Sequence, residues 1–193
     1  MEFRILGPVE VGGVDLPAAK VRALLVRLLL DPNRVVPADT LVDDLWDDAP
    51  PATASKTLQV YVSQLRKALG EGRVETAHGG YRLRVEPGEL DAAEFEALVT
   101  DGRVRDALAL WRGPALANLR ERFARAAAER LEEARLAALE QRIDDDLEAG
   151  RHAEVVGPGR GSRASISPGS RRTWGAPPYV SRRTMSSSGR STT

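Results

Sequence analysis

ATASKTLQVYVSQLRKALG at residues 52–70, followed closely by ETAHGGYRLRV at 75–85, decides the fold of this 193-residue chain. At about 100° per residue, Leu58, Val62, Leu65 and Leu69 fall on one stripe that can pack against neighbouring helices. The opposite side collects Lys56, Thr57, Val60, Ser63, Gln64 and Lys67, with Gln59 and Arg66 on one flank and Tyr61 on the other. No acid lies between Ala49 and Gly70. Amides, hydroxyls, cations and one aliphatic side chain on a single helix face supply what base edges and phosphates require. A solvated basic face has the same composition, and the next segment separates the two readings. His78-Gly79-Gly80 tolerates the backbone of a tight turn, after which Tyr81, Leu83 and Val85 alternate with Arg82 and Arg84. One strand face is therefore apolar and the other carries two guanidiniums beside the helix. Across residues 49–84 the six bases Lys56, Arg66, Lys67, Arg73, Arg82 and Arg84 face only two acids, Glu71 and Glu75. A helix with a basic hairpin at its side is the outline of a winged helix.

The residues upstream complete such a unit. EFRILGPVEV at 2–11 predicts one or two short strands broken at Gly7-Pro8, and Gly12-Gly13 makes a turn. AAKVRALLVRLLL at 18–30 places Val21, Leu24, Leu25 and Leu28 on one helical face, ended by Asp31-Pro32-Asn33. A second short helix is expected over 40–46 with Asp39 as N-cap, and the loop from Asp47 to Pro51 leads into the third helix.

Bulk properties narrow the function classes. The formal net charge is zero, with 28 Lys and Arg against 28 Asp and Glu. Seven of those bases lie in residues 157–193 beside no acid, so residues 1–156 hold 21 bases against all 28 acids. A small basic footprint on an acidic body argues against a nonspecific polycation and for phosphate steering combined with a few selective base contacts. The absence of Cys removes disulfides, thiol nucleophiles and cysteine zinc sites. No apolar stretch is long enough to span a bilayer and no secretory signal pattern opens the chain, so a cytoplasmic, nucleoid-associated protein is expected. His78 and His152 lie far apart with no nucleophile pattern and no glycine-rich phosphate loop, so neither catalysis, a cofactor nor a metal is expected.

VRALLVRLLLDPNRVVPADTLVDDLW at 21–46, SKTLQVYVSQLRKALG at 55–70 and GGYRL at 79–83, in this order, resemble the winged-helix DNA-binding domain of OmpR-like response regulators, an output domain of phosphorelay systems. The pattern is most similar to the Streptomyces antibiotic regulatory protein family, whose members activate secondary-metabolite gene clusters. In that family an all-helical bacterial transcriptional activation domain follows. LDAAEFEAL at 90–98, ALALWRGPAL at 107–116 and LEEARLAALEQRIDDDLEAGRHAEVV at 131–156 are similar to its start. The resemblance implies double-stranded DNA as partner, two protomers on direct repeats as a homodimer, and recruitment of RNA polymerase, with the Asp47–Pro51 loop a candidate contact.

The second half supports this physically. Asp91-Ala92-Ala93-Glu94 has the form of a capping box opening a helix that buries Phe95 and Leu98. Residues 103–111 predict a short helix stopped by Gly113-Pro114, and residues 119–149 a long one, about 45 Å if straight. Phe123, Leu131, Ala134, Ala138 and Leu147 are expected on or near its apolar side, and Asp144-Asp145-Asp146 on a solvated face. Trp46 and Trp111 are expected in the core. After Val156 the chain turns to Ser, Gly, Pro and Arg without apolar period, which predicts disorder. The shift in composition, and a segment around Thr100–Arg105 shorter than the family pattern, lead to the expectation of a truncated member whose frame changed after codon 156.

The fold class is thus α+β. An N-terminal winged helix-turn-helix with a small sheet, three helices and a C-terminal hairpin wing is expected over 1–88. A partial all-α, helical-repeat-like segment follows over 89–156 and a disordered tail over 157–193. Within the reading helix, Thr57, Val60 and Gln64 are expected at base edges, with Gln64 suited to adenine and Val60 to a thymine methyl. Lys56, Ser63, Arg66 and Lys67 are expected at phosphates. Gln59 joins the interface from its flank, and Tyr61 is either a phosphate ligand or a flank of the core. In the wing, Arg82 and Arg84 are expected at the DNA backbone, with His78 at the tip. The alternative is a truncated helical protein-interaction module with weak or no specific DNA binding.

Overall fold

The computed structural model describes residues 2–16, 18–47 and 49–149. The expected tail over 157–193 and its origin in a frame change lie outside the described residues. The fold is α+β, built as a winged helix followed by three further helices.

At the N-terminus, β1 (Phe3–Arg4) and β2 (Glu10–Val11) pair antiparallel, with Phe3 opposite Val11. Helix α1 (Ala19–Leu29) buries Val21, Leu24, Leu25, Leu28 and Leu29. Near its C-terminus Arg27 pairs with Asp31 at 2.6 Å and reaches Asp44 of α2 (Ala38–Trp46) at 2.5 Å, tying the two helices together. Helix α3 (Ala54–Leu69) packs its Leu58, Val62, Leu65 and Leu69 stripe against α1 and α2. Gly70, at φ +92°, ends it, a conformation that a residue with a Cβ adopts only at a cost.

The wing follows as β4 (Val74–Ala77) and β5 (Gly80–Leu83), joined through His78 at φ +47° and Gly79 at φ +78°. Positive φ at both central residues is the type I′ pattern whose twist matches the flanking strands. The third residue of the predicted turn, Gly80, is not left-handed and serves a different purpose. It begins β5 and pairs with Pro37 of a strand the sequence reading did not anticipate, β3 (Val36–Pro37). Strand β5 is thus the centre of a three-stranded sheet ordered β3-β5-β4. A Cβ built on Gly80 would stand 2.1 Å from the carbonyl oxygen of Val36, a backbone atom that cannot swing aside. Gly80→Ala is therefore expected to lower stability by roughly 1–3 kcal/mol, the usual cost of forcing a carbon into packed structure. Chemical unfolding of the variant beside the parent checks this.

The β3 pairing also corrects the start of α2. The amide of Ala38 donates to Gly79 O at 3.1 Å, so the chain enters the helix at Ala38. Pro37, not Asp39, occupies the cap position, and no side chain caps the helix.

Beyond the wing, α4 (Asp91–Thr100), α5 (Val104–Ala109) and α6 (Arg122–Glu148) form the all-α part. The predicted capping box at 91–94 is not one. Helix α4 starts at Asp91, whose carboxylate accepts the amides of Ile5 at 2.8 Å and Leu6 at 3.0 Å. Burial pushes the Asp91 carboxyl up, against the pull of those amides. Further bonds run from Arg112 N to Leu6 O at 2.9 Å and from Leu116 N to Ile5 O at 3.2 Å. The segment after β1 is thereby held by the helical half, and one hydrophobic core runs through both halves.

Helix α6, 27 residues long, begins at Arg122, three residues after the predicted start. It buries small residues, Ala124, Ala127 and Ala138, while Phe123 and Leu131 are half-buried. Ala134 and Leu147 are exposed, contrary to expectation. The reason lies in what α6 packs on: α5 and α1 approach a face of alanines, and Trp111 fills the gap under Arg135, whose guanidinium stands 4.8 Å from the ring centre. Asp146 is likewise not on a solvated face: it is 5% exposed and held by Arg105 at 2.5 Å. Asp144 and Asp145 are exposed as expected. No group of three or more potential metal ligands occurs among the described residues, and none of their helices is long and apolar enough to cross a membrane.

The wing is anchored at its base. Arg73 donates to both carboxylate oxygens of Glu89 at 2.6 and 2.7 Å, and the Glu86 amide adds a third bond. The hydrogen bond from Arg73 leads the causes that lower the Glu89 carboxyl from 4.5 to about 2. A lowered acid stabilises the fold above its unfolded value and ceases to do so as it protonates. Glu89→Gln is therefore expected to cost about 1 kcal/mol at neutral pH, the upper end for a partly exposed pair. That difference should fade as pH falls from 4.5 toward 2, which urea titrations at a series of pH values will follow.

Candidate nucleic-acid interface

With the leucine stripe of α3 turned inward, the rest of the helix is free to face outward. Lys56, Gln59, Val60, Ser63, Gln64 and Lys67 are all exposed. Val60 is 53% exposed, among the most uncovered large apolar side chains of the described residues. An isolated aliphatic group amid amides and ammonium groups costs little in water and gains on contact with a methyl group. Thr57 is half-exposed, and its hydroxyl donates to Thr53 O at 3.0 Å, leaving the oxygen lone pairs to accept.

The flanks are already engaged. Tyr61 is half-buried and stacks on Trp46 of α2, ring centres 6.0 Å apart and planes 12° from parallel. Trp46 is also half-buried, whereas Trp111 lies in the core. On the other flank Arg66 donates to Val74 O at 2.8 Å and to Thr76 Oγ1 at 2.7 Å, so its guanidinium bridges the helix to the wing.

In the wing Arg82 and Arg84 share the outer face, and Glu75 stands between them. Both Arg82 nitrogens donate to Glu75 Oε2, with Nε at 2.9 Å, and Arg84 Nε reaches Oε1 at 2.9 Å. The hydrogen bond from Arg82 holds the Glu75 carboxyl below the usual carboxylate range. His78 is exposed at the tip. The charge count over 49–84 already includes Glu75 but omits Glu89, which engages Arg73 from outside that range, so it overstates the open positive potential.

In the sequence Glu75 counts only as an acid of the segment, and neither it nor Thr76 is expected at the interface, yet a signal for the position of Glu75 exists. Once the two-residue turn is placed at His78-Gly79, antiparallel register sets Glu75 directly opposite Arg82. No comparable pattern foretells the Arg66 bridge, which depends on the angle between helix and hairpin.

A sheet-braced hairpin beside an outward-facing basic helix, continued by a helical half on a shared core, defines the class of winged-helix transcriptional regulators. Residues 14–83 match the family described as transcriptional regulatory protein, C terminal, and residues 90–165 match the bacterial transcriptional activator domain. The regulatory protein DnrI of Streptomyces peucetius is 38% identical over 187 residues, covering 81% of this chain and 68% of that protein. The regulatory protein AfsR of Streptomyces griseus is 38% identical over 174 residues, of which the chain spans 18% of the relative's length. Among solved structures, Mycobacterium tuberculosis EmbR in complex with a low affinity phosphopeptide superposes with a TM-score of 0.71 at 31% identity, over 80% of this chain and 47% of that one. The chain belongs to the Streptomyces antibiotic regulatory protein family of transcriptional regulators.

Proposed function

We propose that this protein is a non-catalytic, sequence-specific DNA-binding regulator that activates a secondary-metabolite gene cluster from direct repeats near a promoter. The observation that carries the reading is the outward face of α3, where Lys56, Val60, Ser63, Gln64 and Lys67 stand uncovered beside the wing. In this reading the winged helix over 1–88 binds DNA, and the partial activation domain over 89–156 supports it. Thr57, Val60 and Gln64 meet base edges in the major groove, while Lys56, Ser63 and Lys67 hold phosphates, with Gln59 beside them. Arg66 contacts phosphate with the guanidinium edge left over from its bridge to the wing. Tyr61 flanks the core, its hydroxyl end at the rim. His78, Arg82 and Arg84 follow the backbone next to the groove.

Two protomers on adjacent repeats, RNA polymerase recruited through the loop ending at Pro51, and a nucleoid location complete the proposal. Footprinting of the purified chain on its own genomic neighbourhood tests it. A reader protects a discrete segment, prefers that segment to random duplex, and loses affinity as salt rises. Equal, weak binding to both duplexes would leave only a protein-interaction module.

A further inference from the structure

The position of Glu75 carries more than local neutralisation. Its side chain is 27% exposed, and it holds two guanidiniums that are 37% and 60% exposed, so the cluster stands at the surface on the wing's outer face. Arg82 offers a fork of two nitrogens to one oxygen, and Arg84, just past the end of β5, approaches the other oxygen from two residues further on. Guanidinium donors pair with carboxylate and phosphate oxygens alike. Cross-strand register fixes the Glu75 backbone opposite Arg82, so the carboxylate is held within reach of the pair, while rotation of its side chain can release the guanidiniums with the ladder intact.

We infer that Glu75 is a built-in competitor for the phosphate site of the wing: in the free protein its carboxylate occupies the Arg82–Arg84 fork that a DNA backbone phosphate takes over on binding. The inference rests on the DNA-reading function proposed above. Because every duplex presents the same phosphates, this competition sets absolute affinity and salt dependence and leaves base preference to α3. With Glu75 in place, the two arginines present one net positive charge to DNA instead of two.

Glu75→Gln keeps the shape of the side chain and removes its charge. Binding is measured on two probes, the footprinted genomic segment and a short random-sequence duplex, across a range of salt concentrations. The expected result is tighter binding to both by the same factor, roughly fivefold, which corresponds to release of one partly exposed ion pair. The slope of log affinity against log salt should steepen by about 0.9, as for one additional phosphate neutralised. Thermal unfolding accompanies the measurement; if Glu75→Gln does not fold, Glu75→Thr, which also removes the charge and suits a strand, is read in the same way. Unchanged or weaker binding by a folded variant overturns the inference, and so does tightening on one probe alone. Absence of salt-dependent binding by the unaltered chain would instead overturn the DNA-reading function itself.

Discussion

Leu65→Ala is expected to lower the stability of the protein by about 2–5 kcal/mol, the range for truncating a buried leucine where the surroundings cannot collapse into the space. Leu65 has no exposed surface and sits in the middle of the α3 stripe, against α1 and α2. A loss of that size is a large share of the stability of an ordinary domain. Denaturant unfolding would show the midpoint falling sharply, and DNA binding would fall with the folded fraction. Ligand-linked recovery should follow, since a duplex that binds only the folded form pulls the equilibrium back in proportion to its concentration. A fall of less than 1 kcal/mol would mean that the stripe does not anchor the helix.

Gln64→Ala, one residue earlier, is expected to do the reverse. Gln64 is exposed, and losing its amide should leave the unfolding midpoint within about 0.5 kcal/mol of the parent, as for most surface changes. On DNA the same substitution should cost about 1–3 kcal/mol against the footprinted site and far less against random duplex, because a bidentate amide–adenine contact is lost only where adenine is present. Binding to a panel of operator variants should show preference relaxed at one base position. Uniform weakening across the panel would move Gln64 from base reading to phosphate positioning. Neighbouring residues thus separate the two faces of one helix, because a step of 100° carries the chain from the exposed side to the core side.

This division was legible in the sequence because both faces of α3 are written in a single period, and the hairpin because positive-φ turn residues sit between alternating strands. What stayed hidden lay at long range or in elements too short to show a period. Strand β3 has two residues, and its existence depends on Gly80 allowing its backbone to come close. Asp91 has a helix-capping neighbourhood in sequence, yet its acceptors serve amides 85 and 86 residues away. In α6 the expected Ala138 is buried and Phe123 and Leu131 pack partly against the core, but Ala124 and Ala127 join the buried face while Ala134 and Leu147 stay exposed, because the partner helices leave room for small side chains and Trp111 supplies bulk. The candidate interface divides the same way. Its exposed residues were readable from α3 alone, whereas Arg66 and Glu75 acquire their partners only when helix and wing are set side by side.

The amides of Ile5 and Leu6 and the carbonyl groups of the same residues find their partners in Asp91, Arg112 and Leu116. These are residues that a ribosome adds about a hundred steps later. These bonds therefore close wide loops of chain, an entropic cost that local contacts do not carry.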